Sequence, residues 1–215
     1  MAKAPVLPTA GEPGVFLSQA PAAIEEGEWL EGMDFVGQTV TGEDLAGVEL
    51  SGCRFVRCRL TGCGFAAATF RDVLFQDCDL SRCRFTRASL TRCAFEDCKA
   101  LGADFSGAGL RDVSFSRCRL DLTNCNAAAL RDAAFRDCSM EETALSGCRV
   151  KGLTLERCAL TRVNFFQTPL AGVDLTSCTL TEPVFSASAG ELKGAVMDLF
   201  QAAQLARRFG GIIKE

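Results

Sequence analysis

The stretch RDVLFQDCDLSRCRFTRASL, residues 71–90, decides the fold. Phe75, Leu80, Phe85 and Leu90 stand five apart, and Val73, Cys78, Cys83 and Ala88 stand two positions before each of them. The residues between are mostly Arg, Asp, Gln, Ser and Thr. Followed outward in both directions, the register holds from Phe35 to Phe185. Of the 31 residues at every fifth position, all but Ala100 and Cys125 are Phe, Leu, Met or Val. A period of five fits neither the 3.6 of an α-helix nor the 2 of a strand, either of which would scatter these side chains over every face. Internal repetition of this kind takes precedence over any local reading.

A coil of four five-residue sides satisfies the pattern, because each side turns one large and one small residue inward and three outward. At four sides per coil, 31 units make nearly eight coils. At about 4.8 Å per coil the rod is about 37 Å long. Residues 20 apart then stack. One column holds Phe35, Phe55, Phe75, Phe95, Phe115 and Phe135, then Leu155 and Leu175; the opposite column holds Leu45, Phe65, Phe85, Phe105, Cys125, Leu145, Phe165 and Phe185. These ladders are expected to fill a narrow square core at close-packed density. Twelve of the 13 cysteines occupy the small inward slot, seven of them in one column from Cys58 to Cys178, where buried thiols act as small hydrophobes. Neighbouring coils lie within disulfide range, but the parallel side-chain directions argue against a bridge. With no histidine and no C-x-x-C pair in the chain, no metal or cofactor site is expected.

On these residues the chain resembles the pentapeptide repeat family. Its motif is a central Phe or Leu preceded two places earlier by Ala, Cys or Val, and followed by a polar residue and often Gly. The resemblance runs over residues 31–189 and implies an all-β, right-handed quadrilateral parallel β-helix, with the handedness supplied by the family and not by the period.

The ends change character. Residues 1–14, with Pro5, Pro8, Pro13, Gly11 and Gly14, read as a flexible leader. Residues 15–30 read as an N-terminal cap in which Phe16, Leu17, Ile24, Trp29 and Leu30 seal the first coil, Trp29 being alternatively a recognition residue. After Phe185 the period stops. Across 191–209, Leu192, Ala195, Val196, Leu199, Phe200, Ala203, Ala206 and Phe209 recur three or four apart, which predicts a helix ended by Gly210 and Gly211, with Ile212 and Ile213 as a short extended tail. The module 190–215 either folds back as a cap or joins a second copy. Its stretch 197–210 resembles the C-terminal module of the Qnr and MfpA proteins at Asp198, Phe200, Gln201, Ala202, Leu205, Arg208 and Gly210, and at Ile212 beyond it. That resemblance implies a homodimer of rods joined tip to tip, with Leu192, Val196, Leu199, Phe200, Leu205, Phe209 and Ile212 at the interface.

The same subgroup implies a rod shaped like duplex DNA that binds type II topoisomerase, chiefly DNA gyrase, and inhibits it or protects it from quinolone-like poisons. Mimicry of this kind needs carboxylates where phosphates would stand. The formal net charge is -4, and between residues 31 and 188 there are 20 acids and 18 bases. The acids gather at the amino-terminal tip, where Glu31, Asp34, Glu43, Asp44 and Glu49 form a candidate acidic docking surface in a stretch without Lys or Arg. In contrast, Arg71, Arg111, Arg131 and Lys151 share an outward face. The unbroken register lacks the projecting loops of many Qnr members and is closer to the loopless MfpA-like form.

The alternative is a non-enzymatic structural or adaptor module that binds another protein through its faces. Direct nucleic-acid binding is not expected, because the basic columns lack interleaved aromatics and the overall charge is negative. An enzyme is not expected either: there is no histidine, no glycine-rich phosphate loop, and the adjacent acids Glu141 and Glu142 have no convergent cleft. No apolar run approaches about 18 residues and no signal-peptide core is visible, so the expected location is cytoplasmic, away from membranes.

Overall fold

The computed structural model describes residues 2–9 and 11–213 and realises the five-residue period as a parallel β-solenoid of about eight turns with two helices. The face centred on Phe35, Phe55 and their stacked successors is an eight-stranded parallel sheet, running from Glu12–Pro13 and Met33–Val36 to Thr154–Glu156. It is called the first face below. The face centred on Leu50, Phe70 and Leu90, the fourth, is a seven-stranded sheet from Leu30–Glu31 to Arg149–Lys151. The second and third faces are held largely by single bridges such as Arg59 to Asp79 and Arg84 to Asp104. Each pairing keeps the 20-residue step, as in Phe55 opposite Phe75 and Phe115 opposite Phe135.

Five residues close one side only if the chain turns sharply, and the turn is made two residues after each central residue. From Gly37 to Gly172 the backbone there is left-handed, with Gly102 at φ 62° but Arg57 and Asp77 both at 53°. A non-glycine residue in this region costs about 1–2 kcal/mol. The conformation persists because it aims most corner N–H groups at the next coil: Arg57 N donates to Gln76 O at 2.9 Å and Asp77 N to Glu96 O at 3.0 Å. Pairing of this kind is the condition for burying so much main chain.

Inside, the ladder Phe55, Phe75, Phe95, Phe115 and Phe135 is buried. Its rings lie 4.5–4.9 Å apart and within 14° of parallel. Phe65, Phe85 and Phe105 stack opposite, with Phe85 and Phe105 at 4.7 Å and 3°. Cys125 breaks that second ladder and leaves a small apolar void among Phe105, Leu110, Phe115, Leu120 and Phe135. The 13 cysteines are buried and free. Six of the seven-membered column, Cys58 to Cys158, point their thiols at the carbonyl 23 residues earlier, Cys58 Sγ to Phe35 O at 3.2 Å being one such contact. Burial pushes the Cys93 thiol up to about 12, as expected of thiols packed as hydrophobes.

The amino-terminal cap is helix α1, Phe16–Glu26. Phe16 inserts into the first coil with its ring centroid 5.0 Å from Phe35 and 4.9 Å from Phe55, while Ile24 and Leu30 pack partly buried beside it. Two expected sealing residues face elsewhere. Leu17 is exposed on the outer side of the helix, and Trp29 lies on the outside of the coil under the Arg71 guanidinium, 4.8 Å from its ring.

The leader also departs from expectation. It lies along the rod: Glu12–Pro13 pairs with Met33–Asp34 as an extra strand, Val6 N donates to Asp72 Oδ1 at 2.9 Å, and Lys3 N to Asp112 Oδ1 at 3.3 Å. Pro8 O accepts from Arg54. The prolines reduce the number of N–H groups needing partners, and carboxylates at the corner take those of Val6 and Lys3. Met1 and Ala10, also assigned to this leader, lie outside the described residues.

At the other end, the helix predicted over 191–209 is shorter. Residues 190–197 add a last partial course, with a 3₁₀ turn at Gly190–Leu192 and a bridge from Val196 to Asp174. Helix α2 spans Leu199–Arg208. Apolar residues three and four apart also suit a bent course that packs Leu192, Ala195 and Met197 partly buried on the core. The start is fixed by a capping box, in which Asp198 accepts from Gln201 N at 2.8 Å and Gln201 Oε1 accepts from Asp198 N at 3.1 Å.

Candidate protein-interaction surfaces

Two surfaces singled out by the sequence can be placed. The five acids of the amino-terminal tip do not share one face. Asp34 is on the first face, Glu43 and Asp44 belong to the third, and Glu31 and Glu49 are on the fourth. They lie on three of the four faces of the first coil. Asp34 is also engaged, receiving Arg54 Nη1 at 3.0 Å and Gly11 N at 3.2 Å, so the outward charge comes from Glu31, Glu43 and Asp44, which are exposed, and from half-buried Glu49.

Farther along, carboxylates are matched by arginines one coil away. Asp97 meets Arg117 and Asp137 meets Arg157, each pair at 2.7 Å. These guanidiniums hold both carboxyls below the usual aspartate range. Burial pushes the Asp72 carboxyl up, but the bidentate Arg92 contact and the Val6 N–H outweigh it and leave Asp72 below its ordinary value. Such pairs align successive coils and offset the negative charge a phosphate mimic would display. Each exposed pair contributes little stability on its own.

The carboxyl-terminal end is divided. One side of α2 seals the rod: Gln201 Nε2 donates to both Leu175 O and Cys178 O at 2.8 Å, and Leu205 is buried. The other side is apolar and uncovered. Leu199 and Phe200 are each 80% exposed and Ile212 is 90% exposed, with Val196 and Phe209 also open. Of the residues expected at a dimer interface, Val196, Leu199, Phe200, Phe209 and Ile212 are therefore available. Leu205 is turned onto its own rod and Leu192 is partly buried against the core, so these two belong to the cap. An apolar cluster of this kind at one tip is the usual mark of an interaction site. The Asp198-x-x-Gln201 spacing was the sequence signal for the true helix start, and hence for which side faces outward.

No group of three or more Cys, Asp or Glu side chains able to hold a metal ion occurs among the described residues, and none of their helices is long and apolar enough to cross a membrane.

Compared with known proteins, the chain matches the family model of the pentapeptide repeat region over residues 34–105, 88–165 and 108–185. No curated protein matches it. Among solved structures it is similar to a trypsin-treated form of QnrB1, a plasmid-mediated fluoroquinolone resistance protein, at 26% identity over 86% of this chain and 99% of that one, with a TM-score of 0.50. It is also similar to HetL, a pentapeptide repeat protein involved in heterocyst differentiation regulation from the cyanobacterium Nostoc sp. strain PCC 7120, at 19% identity over 79% of this chain and 89% of that one, with a TM-score of 0.39.

Proposed function

We propose a function on the premise that this chain belongs to the pentapeptide repeat family: it acts as a homodimeric rod that occupies the DNA-binding surface of a type II topoisomerase such as DNA gyrase, and so inhibits the enzyme or protects it from quinolone-like poisons. The observation that carries this reading is the likeness to QnrB1, a fluoroquinolone resistance protein, along 99% of that chain. The exposed apolar tip at Leu199, Phe200 and Ile212 supports dimerisation. The acidic residues of the opposite tip support electrostatic steering toward a surface built for a polyanion. No chemistry by the rod itself enters this mechanism; binding competes with DNA.

A second reading, an adaptor that binds another protein through its faces, is favoured by the pairing of Asp97 with Arg117 and Asp137 with Arg157, which neutralises the flank. A DNA supercoiling assay with purified gyrase, titrated with this protein in the presence and absence of a quinolone, separates the two. Relief of drug inhibition, or direct inhibition at low protein concentration, is the expected result. No effect across the titration, with the protein shown folded, would leave the adaptor.

A further inference from the structure

The corner between the fourth and first faces carries the column Gly32, Gly52, Asp72, Arg92, Asp112, Asp132, Gly152 and Gly172. Two glycines and an aspartate thus begin the column, and an aspartate and two glycines end it. The leader occupies the first part. Pro8 passes over Gly32 and Gly52, where an added Cβ would lie 3.9 and 3.5 Å from its ring, and Asp72 and Asp112 accept the backbone N–H groups of Val6 and Lys3. The spacing is physically matched. Three residues of extended polyproline-like chain span about 9.3 Å, and two coils span about 9.6 Å, so every third N–H can meet a carboxylate two coils away.

The last part of the column repeats these residue types with no segment of the described residues over them, and over Gly152 lies the Asp132 carboxylate itself, its Oδ1 2.6 Å from where a Cβ would stand. Gly152 and Gly172 are exposed, and among the described residues no backbone N–H donates to the Asp132 carboxylate, whose nearest cation is Arg131 at 4.0 Å. Beside this stretch the fourth face is cationic. Arg111, Arg131, Arg149 and Lys151 are exposed, and no ion pair among the described residues includes Arg111, Arg149 or Lys151. The row of Ser89, Gly109 and Ala129 beside the Arg111 and Arg131 side chains leaves a shallow trough. Apart from Glu31 and Glu49 at the tip, the strands of this face present no carboxylate outward.

We propose that the corner from Asp132 to Gly172, together with Arg111, Arg131, Arg149 and Lys151, binds an extended acidic peptide segment of a partner protein. Backbone N–H groups of the segment donate to Asp132 as those of the leader do to Asp72 and Asp112, and its carboxylates pair with the cationic row. A nucleic-acid strand fits less well: its sugar–phosphate backbone has no N–H to offer Asp132, its phosphates would be repelled there, and the stretch from Arg111 to Lys151 carries no aromatic residue on its outer side for base stacking. The inference is independent of the topoisomerase reading, since it uses the basic face and not the acidic tip.

Fluorescence anisotropy with a fluorescein-labelled peptide of four Glu-Pro-Ala repeats tests it on the full chain, with the Gln-Pro-Ala peptide and a short duplex DNA as competing probes. The Glu peptide is expected to bind saturably and more tightly than either. Combining Arg111→Glu, Arg131→Glu and Lys151→Glu, all at exposed positions, is expected to weaken it at least about tenfold without changing the melting temperature. Asp132→Ala should weaken the peptide about threefold by removing an acceptor, whereas a phosphate site would tighten when that carboxylate is lost. Absence of saturable binding, equal affinity for the Gln peptide, tighter binding of the duplex, or indifference to the charge reversal would each overturn the proposal.

Discussion

At the amino-terminal end, Phe16 packs from a helix of the same chain against Phe35, tilted by 59°, and edge-on against Phe55, and its N–H is taken by Gln38 Oε1 at 2.8 Å. At the carboxyl-terminal end, α2 covers the last coil with an amide and one leucine, Gln201 and Leu205, and presents Leu199 and Phe200 to the outside. Both ends face the same physical problem, an open coil with unpaired carbonyls and apolar interior. The first is closed by apolar insertion within one chain. The second is closed by Gln201 and Leu205 together with partly buried Leu192, Ala195 and Met197, and leaves an apolar area that the proposed second copy would cover. In a solenoid, capping and assembly are therefore separable, and one end can be specialised for each.

The largest effect should follow from breaking the closed end. Phe16→Asp places a carboxylate among three phenylalanine rings with no cation beside it, and combines loss of a buried aromatic with burial of a charge. Replacement of a buried Phe by a small residue alone costs about 3–5 kcal/mol, and the unpaired carboxylate adds to that. Thermal unfolding followed by circular dichroism should show a strongly lowered or lost transition. An unchanged melt would mean that α1 does not seal the rod.

A smaller structural cost but a complete change of assembly is expected from Phe200→Arg. The side chain is exposed in the monomer, so the coils should melt within about 0.5 kcal/mol of the parent, while the sedimentation mass should fall from dimer to monomer. A parent that already sediments as a monomer, or a variant that stays dimeric, would remove the proposed role of this tip. Leu205→Arg should behave differently and destabilise the rod itself, because Leu205 faces inward.

This contrast also marks what the residues alone reveal. The period of five places every Phe of both ladders correctly, because inward sites in a narrow coil admit only apolar side chains and their spacing cannot drift without exposing them. It says nothing about the ends, where no repeat constrains direction. Leu192 and Leu205 have the same apolar character as Leu199, and only the capping box at Asp198 and Gln201 sets the rotation that turns Leu205 in and Phe200 out. The leader was illegible for a related reason. Its attachment depends on backbone N–H groups meeting Asp72 and Asp112, and neither proline content nor hydropathy encodes which outward carboxylates lie along its path.

The subtlest difference between the ends is chemical, and acid should expose it. Glu191 is buried in the last partial course, where its carboxylate accepts from Gln167 N at 2.8 Å, Ser186 N at 3.1 Å and Ser186 Oγ at 2.8 Å. Burial alone would push this carboxyl up, but the converging donors favour its charged form and hold it below the usual glutamate value. A carboxyl with a depressed folded-state pKa contributes stability that is present above the unfolded value of about 4.3, and that contribution is lost as pH falls through the lower folded value. The course 186–197 should then loosen before the coils do. The amides of Leu170 and Gly172, which donate to Glu191 O and Gly194 O, should lose at least about threefold in hydrogen-exchange protection as the solution passes below that window. Gly37 and Val40, laddered at the closed end, should be spared. Glu191→Gln should abolish the pH dependence at Leu170 and Gly172. Equal loss at both ends would show instead that the rod melts as one unit and that its open end is no softer than its sealed one.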